Sequence, residues 1–439
     1  MKRMIKPFLS RVISVTIISI LITANGFCEH KQPKELNKYL KKTEEELIER
    51  TAKAEGILYE SGAVYEDKNS SEVVDYLNGI AAKAIPPDFS DDKTKIRIKI
   101  IRDPTVNAFA LPNGTIYVHT GLLARLENEA QLAFVLGHEI SHVVNKDGVY
   151  ATQSFHNKTV STKLFDLVLA PAAVFFGLLG DLVRSGFGLL YVSSVTGYSK
   201  EQETRADRES IKFGTMASYD PKEAPNVIEI LMKEHEKYAG REEVYFLMNH
   251  PSNQWRKKKM EGLIEKEYAS ISTALVEKRP FFDKLVDIKI YNASLNIKMD
   301  RPEHAMDNIR SVLKVLPDNA AAHFYAAEVY RTQAEDRKKL KYELSVKEWD
   351  AMNKNTDKDS QINNWRKMAL DEYNYTLSKA PDYYEAYRGL GMLYSDMNMK
   401  KEAISNLNKY LELNPAAKDK RYVVSLIKKV EAKLLGKQN

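Results

Sequence analysis

The segment His138-Glu139-Ile140-Ser141-His142 holds the residues whose types and spacing most clearly imply chemistry. Residues four apart lie on one face of a helix, one turn from each other, so both imidazoles can bind a single tetrahedral Zn²⁺. Glu139 then lies beside the metal position and can take a proton from water there. The spacing predicts a zinc peptidase with one Zn²⁺ per chain, His138 and His142 as ligands, and Glu139 as general base.

A second acidic segment supplies a candidate third ligand. Glu203 and Asp207 are also four residues apart, in a stretch with helical spacing. We predict that Glu203 binds the metal and that Asp207 accepts a hydrogen bond from a ligand histidine, which fixes the tautomer of that imidazole. Taken alone, this stretch is equally typical of an exposed acidic helix face, since Glu201 and Glu209 are close by. The histidines alone could likewise be a buried pair without metal, so it is the combination that favours a zinc site.

A small sheet is expected to precede the helix that carries the histidines. Residues 95–101 alternate between charged and apolar side chains, as a half-buried strand does. Two further strands, at 107–111 and 115–118, flank Pro112-Asn113-Gly114, a hairpin turn signal. The catalytic helix is predicted at 128–145. We expect residues 107–111 to pair with an extended substrate, because zinc peptidases hold substrate along a sheet edge.

The first 26 residues predict a secretory signal. Four basic residues and no acid accompany an apolar stretch from Val12 to Ile22, and Ala24 and Gly26 are small residues suited to cleavage before Phe27. The stretch is shorter than the roughly 20 residues that a membrane-spanning helix needs. An uncleaved anchor and a lipid-modified Cys28 are the alternatives.

Charge and cysteine content narrow the class of protein. The formal net charge is +6, but without residues 1–26 there are 62 basic and 60 acidic side chains, so charge gives no reason to expect a nucleic-acid partner. Cys28 is the single cysteine and excludes an intrachain disulfide. A secreted chain without disulfides fits a bacterial periplasmic protein whose stability comes from packing of its core.

Residues 164–192 are strongly apolar. They are consistent with a buried helical hairpin, with a flap over the zinc cleft, or with peripheral contact to a membrane. Four residues argue against a full bilayer crossing: Asp166, Pro171, Asp181 and Arg184.

From residue 280 onward, the pattern is typical of tetratricopeptide repeats. Pro381 and Pro415 lie one 34-residue period apart, and large and small residues alternate at the expected positions before each proline. Pro317 precedes them by one period plus an insertion of roughly 30 residues, placed around Arg337–Ser360. We predict an all-α solenoid with a concave surface that docks peptides or proteins. A purely structural cap on the peptidase is the alternative.

Together these segments resemble peptidase family M48. The resemblance covers about residues 70–265 and is carried by Asn107–Pro112, Gly121-Leu122-Leu123, Glu129-Ala130-Gln131-Leu132, the His138–His142 segment, and the helix with Glu203, Ala206 and Asp207. It implies a zinc-dependent endopeptidase fold of helices around a small sheet. The predicted class is therefore α+β, with a signal at 1–26, a helical segment at 27–69, the peptidase domain at 70–268 and the repeats at 280–439.

The resemblance also implies roles for His250 and Arg256. In periplasmic members with such repeats, a His-Pro at this place lies over the zinc and can block it, with an arginine six residues later beside it. Both residues are candidate donors to the oxyanion of the reaction. The chain departs from the family at Asn145 and Asp147, where the helix often continues to a further histidine that is not a primary ligand.

The sequence thus predicts a periplasmic zinc endopeptidase that cleaves misfolded or stalled proteins in the quality control of the cell envelope, and the resemblance implies that these are outer-membrane proteins. Unfolded proteins are the expected substrates, and contact of the repeats with the outer-membrane assembly machinery is implied by resemblance alone. The alternative is a periplasmic chaperone or adaptor whose zinc site is latched by His250 and rarely active. An intramembrane protease is disfavoured, because the chain lacks a multi-span pattern.

Overall fold

A computed structural model describes residues 38–66, 70–151, 198–238, 254–271, 274–335 and 358–434. The predicted signal at 1–26, Cys28, the apolar segment 164–192 and His250 lie outside these residues, as does most of the insertion expected at 337–360. The described chain is mainly helical with one three-stranded sheet, which confirms the predicted α+β class. Among these residues, none of the helices combines the length and the apolarity that crossing a bilayer requires.

The chain divides into two compact units, with the boundary between Leu285 and Val286. The elements of the first unit are α1 (Lys38–Glu60), α2 (Ser70–Ala84), β1 (Arg97–Ile101), β2 (Ala108–Ala110), β3 (Thr115–His119), α3 (Thr120–Arg125), α4 (Glu129–Val144), α5 (Lys200–Met216), α6 (Glu223–Tyr238) and α7 (Gln254–Glu267). Helix α8 (Lys278–Lys298) runs across the boundary.

The sheet has the strand order β1-β3-β2. Strands β2 and β3 form the predicted antiparallel hairpin, and β1 pairs with β3 in parallel. The hairpin turn contains Gly114 at a φ of 87°, a conformation that favours glycine. An added Cβ there would lie 2.7 Å from the backbone of Lys95, so a side chain at this position would also collide with the segment that leads into β1.

Helix α1 packs on one face of this sheet. Its Leu40 and Leu47 join a core cluster with Phe109, Leu111 and Tyr117. The carboxylate of Glu55, which is 8% exposed, accepts hydrogen bonds from the sheet and its turn. The donors are Lys99, Arg97, Asn113 and Tyr117, at 3.0 to 3.2 Å. Apolar packing and directional hydrogen bonds act together here, and they hold α1 at one position on the sheet.

Helix α4 is buried on all sides from Glu129 to Val143. It begins at Asn128, whose side chain accepts from the backbone N–H of Gln131 as an N-cap. Helix α5 packs closely against it. A Cβ on Gly137 would lie 3.2 Å from Ser210 Cα, and one on Gly214 would lie 2.4 Å from the ring of Phe134. Small residues therefore let these two helices approach, and the two helices carry the predicted metal ligands.

The second unit consists, where described, of helices packed against their chain neighbours. They are α9 (Pro302–Leu313), α10 (Ala320–Glu335), α11 (Lys358–Lys379), α12 (Tyr384–Asp396), α13 (Lys400–Leu413) and α14 (Lys420–Leu434). Helices α9, α11 and α13 end shortly before Pro317, Pro381 and Pro415. Small residues lie at the helix crossings: an added Cβ on Gly391 would meet the side chain of Leu407 at 2.5 Å.

Candidate metal centre

Three predicted ligands converge between α4 and α5. His138 and His142 lie on α4, and Glu203 lies in the first turn of α5. That turn is fixed by a capping box, in which Ser199 accepts from the backbone of Gln202 and the Gln202 side chain accepts from the backbone of Ser199. The side chains of all three ligands are almost fully buried. Their donor atoms lie within 4.8 Å of one another.

The distances between the donor atoms fit a zinc ion. The two histidine Nε2 atoms are 3.1 Å apart, and each lies 3.5 Å from an oxygen of Glu203. Zinc bonds of about 2.0–2.1 Å in tetrahedral geometry separate neighbouring ligand atoms by roughly 3.3 Å. Two imidazoles and one carboxylate are also a known ligand set of catalytic zinc sites, which leave one position open.

The second ring nitrogen of His138 is held by Asp207. His138 Nδ1 lies 3.2 Å from Asp207 Oδ1, and because an ionised carboxylate only accepts, Nδ1 carries the proton and Nε2 faces the metal position. Arg256 of α7 donates to Asp207 through Nε at 2.8 Å, and its Nη1 lies 3.3 Å from Glu203 Oε2. Asp207 thus lies against a ligand histidine, as its expected role requires, and that role stays a prediction.

These charges change the pKa of His138 in the metal-free protein. Burial lowers the pKa of His138, but the carboxylates of Glu203 and Asp207 outweigh it and raise the pKa to about 10. A metal ion must therefore displace a proton from the site at neutral pH.

His142 is held in the same way by Asp147, a residue for which the sequence pattern predicts no role. His142 Nδ1 lies 2.8 Å from Asp147 Oδ2. The imidazole ring also stacks on Tyr198, with ring centroids 3.7 Å apart and planes at 22°. An aspartate shortly after a ligand histidine is the signal that could have indicated the first contact. No local pattern pointed to Tyr198, which lies 56 residues further along the chain.

The acidic stretch around Glu203 is not an exposed helix face. Glu203 and Asp207 are 4% and 6% exposed, and burial at these positions excludes that alternative. Glu209 also points towards α4, where it accepts from Ser141 Oγ at 2.6 Å and from Asn145 Nδ2 at 2.8 Å. Three carboxylates of α5 therefore face α4, and two of them, those of Glu203 and Asp207, lie at the candidate metal centre.

The structure describes two of the three residues predicted to take part in catalysis, Glu139 and Arg256. Glu139 is fully buried on α4. Arg256 is 4% exposed, and the contacts given above direct its guanidinium to Asp207 and Glu203. Its role as a donor to the oxyanion stays a prediction, and His250 lies outside the described residues.

The sheet edge expected to bind substrate lies beside the candidate metal centre. Ala110 and Leu111, at the end of β2, line a small cavity together with His142, Lys146 and Tyr198. Strand β2 is the last strand of the sheet on this side and pairs with β3 through its other edge. An extended peptide paired with β2 would therefore pass close to a metal ligand.

Comparison with protein families matches residues 73–264 to Peptidase family M48. Residues 292–406 match a different family, described as Phosducin. The tetratricopeptide array expected there consequently stays a prediction. Among solved structures, the crystal structure of MamA protein is 16% identical over 53% of this chain and 93% of that chain, with a TM-score of 0.22, which is too low to support a shared fold.

Two of the curated relatives each match part of the chain. The mitochondrial metalloendopeptidase OMA1 of Schizosaccharomyces pombe is 32% identical over 169 residues, which are 38% of this chain and 46% of that protein. The beta-barrel assembly-enhancing protease of Escherichia coli is 27% identical over 189 residues, or 42% of this chain and 37% of that protein. The chain thus spans less than half the length of either relative. The resemblance to peptidase family M48 that the motifs predicted is confirmed for residues 73–264.

Proposed function

We propose that this protein is a zinc-dependent endopeptidase. The observation that carries the proposal is the convergence of His138, His142 and Glu203, with a carboxylate on the second nitrogen of each histidine. A zinc ion held by these residues would act as a Lewis acid and lower the pKa of water bound to it. Such carboxylates hold imidazoles in the tautomer that binds metal, which suits a permanent metal site.

The chain's own residues would divide the remaining work. Glu139 would take the proton of the attacking water and later deliver it to the leaving amine of the peptide. Strand β2 would hold the substrate by backbone hydrogen bonds. Because that mode reads backbone, it suits extended, unfolded segments of many sequences. Asp207 and Arg256 would keep Glu203 and His138 in place.

The direct test compares Glu139→Gln with the wild type. We expect the variant to bind one zinc per chain, measured by elemental analysis, and to lose cleavage of fluorescently labelled casein. Glu201→Gln is the matched control, since Glu201 is an exposed acid on the same stretch, and it should cleave normally. Cleavage by Glu139→Gln at the wild-type rate would show that the assignment of the base is wrong.

The finer proposal concerns compartment and substrate. We propose that the protein acts in the bacterial periplasm, on misfolded or stalled outer-membrane proteins. The signal-like pattern of residues 1–26 and the beta-barrel assembly-enhancing protease among the relatives support this, while OMA1 is mitochondrial by name. N-terminal sequencing of the mature protein should begin at Phe27. A periplasmic chaperone would be indicated instead if Glu139→Gln fully restored outer-membrane assembly in cells that lack the protein.

We also propose that the helical unit is a tetratricopeptide array that docks substrates or the assembly machinery. The support is the 34-residue spacing of Pro381 and Pro415 and the small residues where helices cross, such as Gly391. A photoreactive residue at Tyr422, 53% exposed in this unit, should cross-link to an unfolded outer-membrane precursor. One at Tyr39, 52% exposed on α1, is the matched control. Equal cross-linking at both positions would contradict docking by the array.

A further inference from the structure

Asp147 lies immediately beyond α4 and contacts both ligand-bearing helices. Its side chain is fully buried. It accepts from His142 of α4 at 2.8 Å, and from Gln202 Nε2 of α5 at 2.9 Å. The guanidinium of Arg205, also on α5, donates to both of its oxygens. One carboxylate therefore joins a metal ligand to the helix that carries another ligand, Glu203.

The backbone around Asp147 is specifically shaped for this contact. Helix α4 ends at Val144, and Lys146 follows at a φ of 55°, in the left-handed region that costs a non-glycine residue about 1–2 kcal/mol. The Lys146 ammonium is paired with Glu44 of α1 at 2.6 Å and with Asp91 at 3.0 Å. These ion pairs hold the turn that returns Asp147 to the last turn of α4.

We propose that Asp147 is a positioning residue for the metal centre, and that Arg205 holds it in that role. The carboxylate fixes His142 with its proton on Nδ1 and its lone pair on Nε2, directed at the metal position. Together with Asp207 on His138, it gives the centre two carboxylate–histidine pairs, each held by an arginine: Arg205 for one and Arg256 for the other.

The proposal rests on the zinc site of the proposed function and not on peptide cleavage. Removing a carboxylate that holds a ligand histidine typically weakens metal binding by about 10–100-fold, because the histidine then loses its fixed orientation and tautomer. A mere structural ion pair between α4 and α5 would instead affect the stability of the fold and leave metal affinity unchanged. Metal affinity and stability therefore distinguish the two roles.

The experiment measures zinc affinity of the full chain by competition with a chromophoric chelator. We expect Asp147→Ala to weaken zinc binding about 10–100-fold, Asp147→Asn to weaken it less, and Arg205→Gln to weaken it measurably. Glu209→Gln is the matched control, since Glu209 joins the same two helices through Ser141 and Asn145 without touching a ligand. It should bind zinc like the wild type.

Two further measurements keep the result interpretable. The visible absorption bands of the Co²⁺-substituted protein should change in the Asp147 variants and not in Glu209→Gln. Urea unfolding of the metal-free proteins separately measures how much each substitution lowers the stability of the fold. If Asp147→Ala does not fold, Asp147→Asn replaces it in the comparison. Wild-type zinc affinity and Co²⁺ spectra in both Asp147→Asn and Arg205→Gln would overturn the proposal. Zinc binding by a wild type that cleaves nothing would contradict the proposed activity alone.

Discussion

Replacing Arg256 by methionine should strongly destabilise the metal-free protein. The guanidinium is 4% exposed and lies against two buried carboxylates, those of Asp207 and Glu203. Methionine fills most of the volume but supplies no charge or donor. Removing one partner of a buried ion pair costs about 3–5 kcal/mol, because the remaining charge stays desolvated. For a domain of roughly 150–250 residues, this lowers the melting temperature by about 6–20 °C.

The pH dependence of this loss follows from Asp207. Burial raises the pKa of Asp207, but the charges of Arg256 and His138 outweigh it, so that the folded-state pKa lies below the usual value. The pair of Asp207 and Arg256 therefore contributes its full stabilisation at pH values above about 3.9, the pKa of an aspartate in the unfolded chain. That stabilisation is lost as the pH falls through the lower pKa that Asp207 has in the folded protein. The difference between wild type and Arg256→Met should accordingly narrow below about pH 4.

Scanning calorimetry of the full chain, with chelator present, measures the effect. Arg208→Met is the control, because Arg208 is 68% exposed and its contact with Glu267 is 3.8 Å, so its loss should cost under about 1 kcal/mol. Arg256→Lys keeps the charge without the fork and should lie between the two. A difference of 2 °C in melting temperature corresponds to about 1 kcal/mol. If Arg256→Met melted within 2 °C of Arg208→Met, the ion pair of Arg256 with the buried carboxylates would contribute too little to the stability of the fold to support this prediction.

Three further results are expected. Burial raises the pKa of Asp103, but His119 and hydrogen bonds from Thr105 lower it to about 2. Asp103→Asn should therefore destabilise the protein in urea unfolding at pH 7, by on the order of 1–2 kcal/mol, and by progressively less below about pH 4. Gly214→Ala should lose about 1–2 kcal/mol by overpacking against the phenylalanine ring of α4, whereas Gly262→Ala, with open space around it, should gain up to about 1 kcal/mol. Free zinc at 100 times its dissociation constant should stabilise the wild type by about 2.7 kcal/mol, and Glu203→Gln much less.

Local patterns were sufficient to predict the elements that carry the site. The strand at β1, the hairpin around Gly114, and the helix with His138 and His142 follow from periodicity and turn chemistry, which act over a few residues. The parallel pairing of β1 with β3 could not be predicted in the same way. It depends on which strands meet across the fold, and the alternating pattern of residues 95–101 does not specify the partner strand.

The parts of the candidate site that escaped prediction depend on contacts across the fold. The sequence marks Asp147 only as a departure from the family pattern, because its contact with His142 depends on the left-handed turn at Lys146. Arg205 lies in an acidic stretch, and nothing in the local sequence indicates that it pairs with Asp147. Tyr198 lies far along the chain from the ring on which it stacks. Sequence spacing identifies ligands on one helix but not the residues that orient them.

The contact of α1 with the sheet has a consequence for the order in which the chain acquires structure. Helix α1 precedes the segment that matches the peptidase family, which begins at residue 73. Glu55 nevertheless meets Tyr117, 62 residues later in the chain. During synthesis α1 is made first, yet it has no surface to cover until β3 has emerged. Its docking therefore follows formation of the sheet and is a long-range step, which carries the entropy cost of closing a loop of that length. A fragment cut at the limits of the family match would lack this helix and expose the apolar face of Phe109 and Leu111.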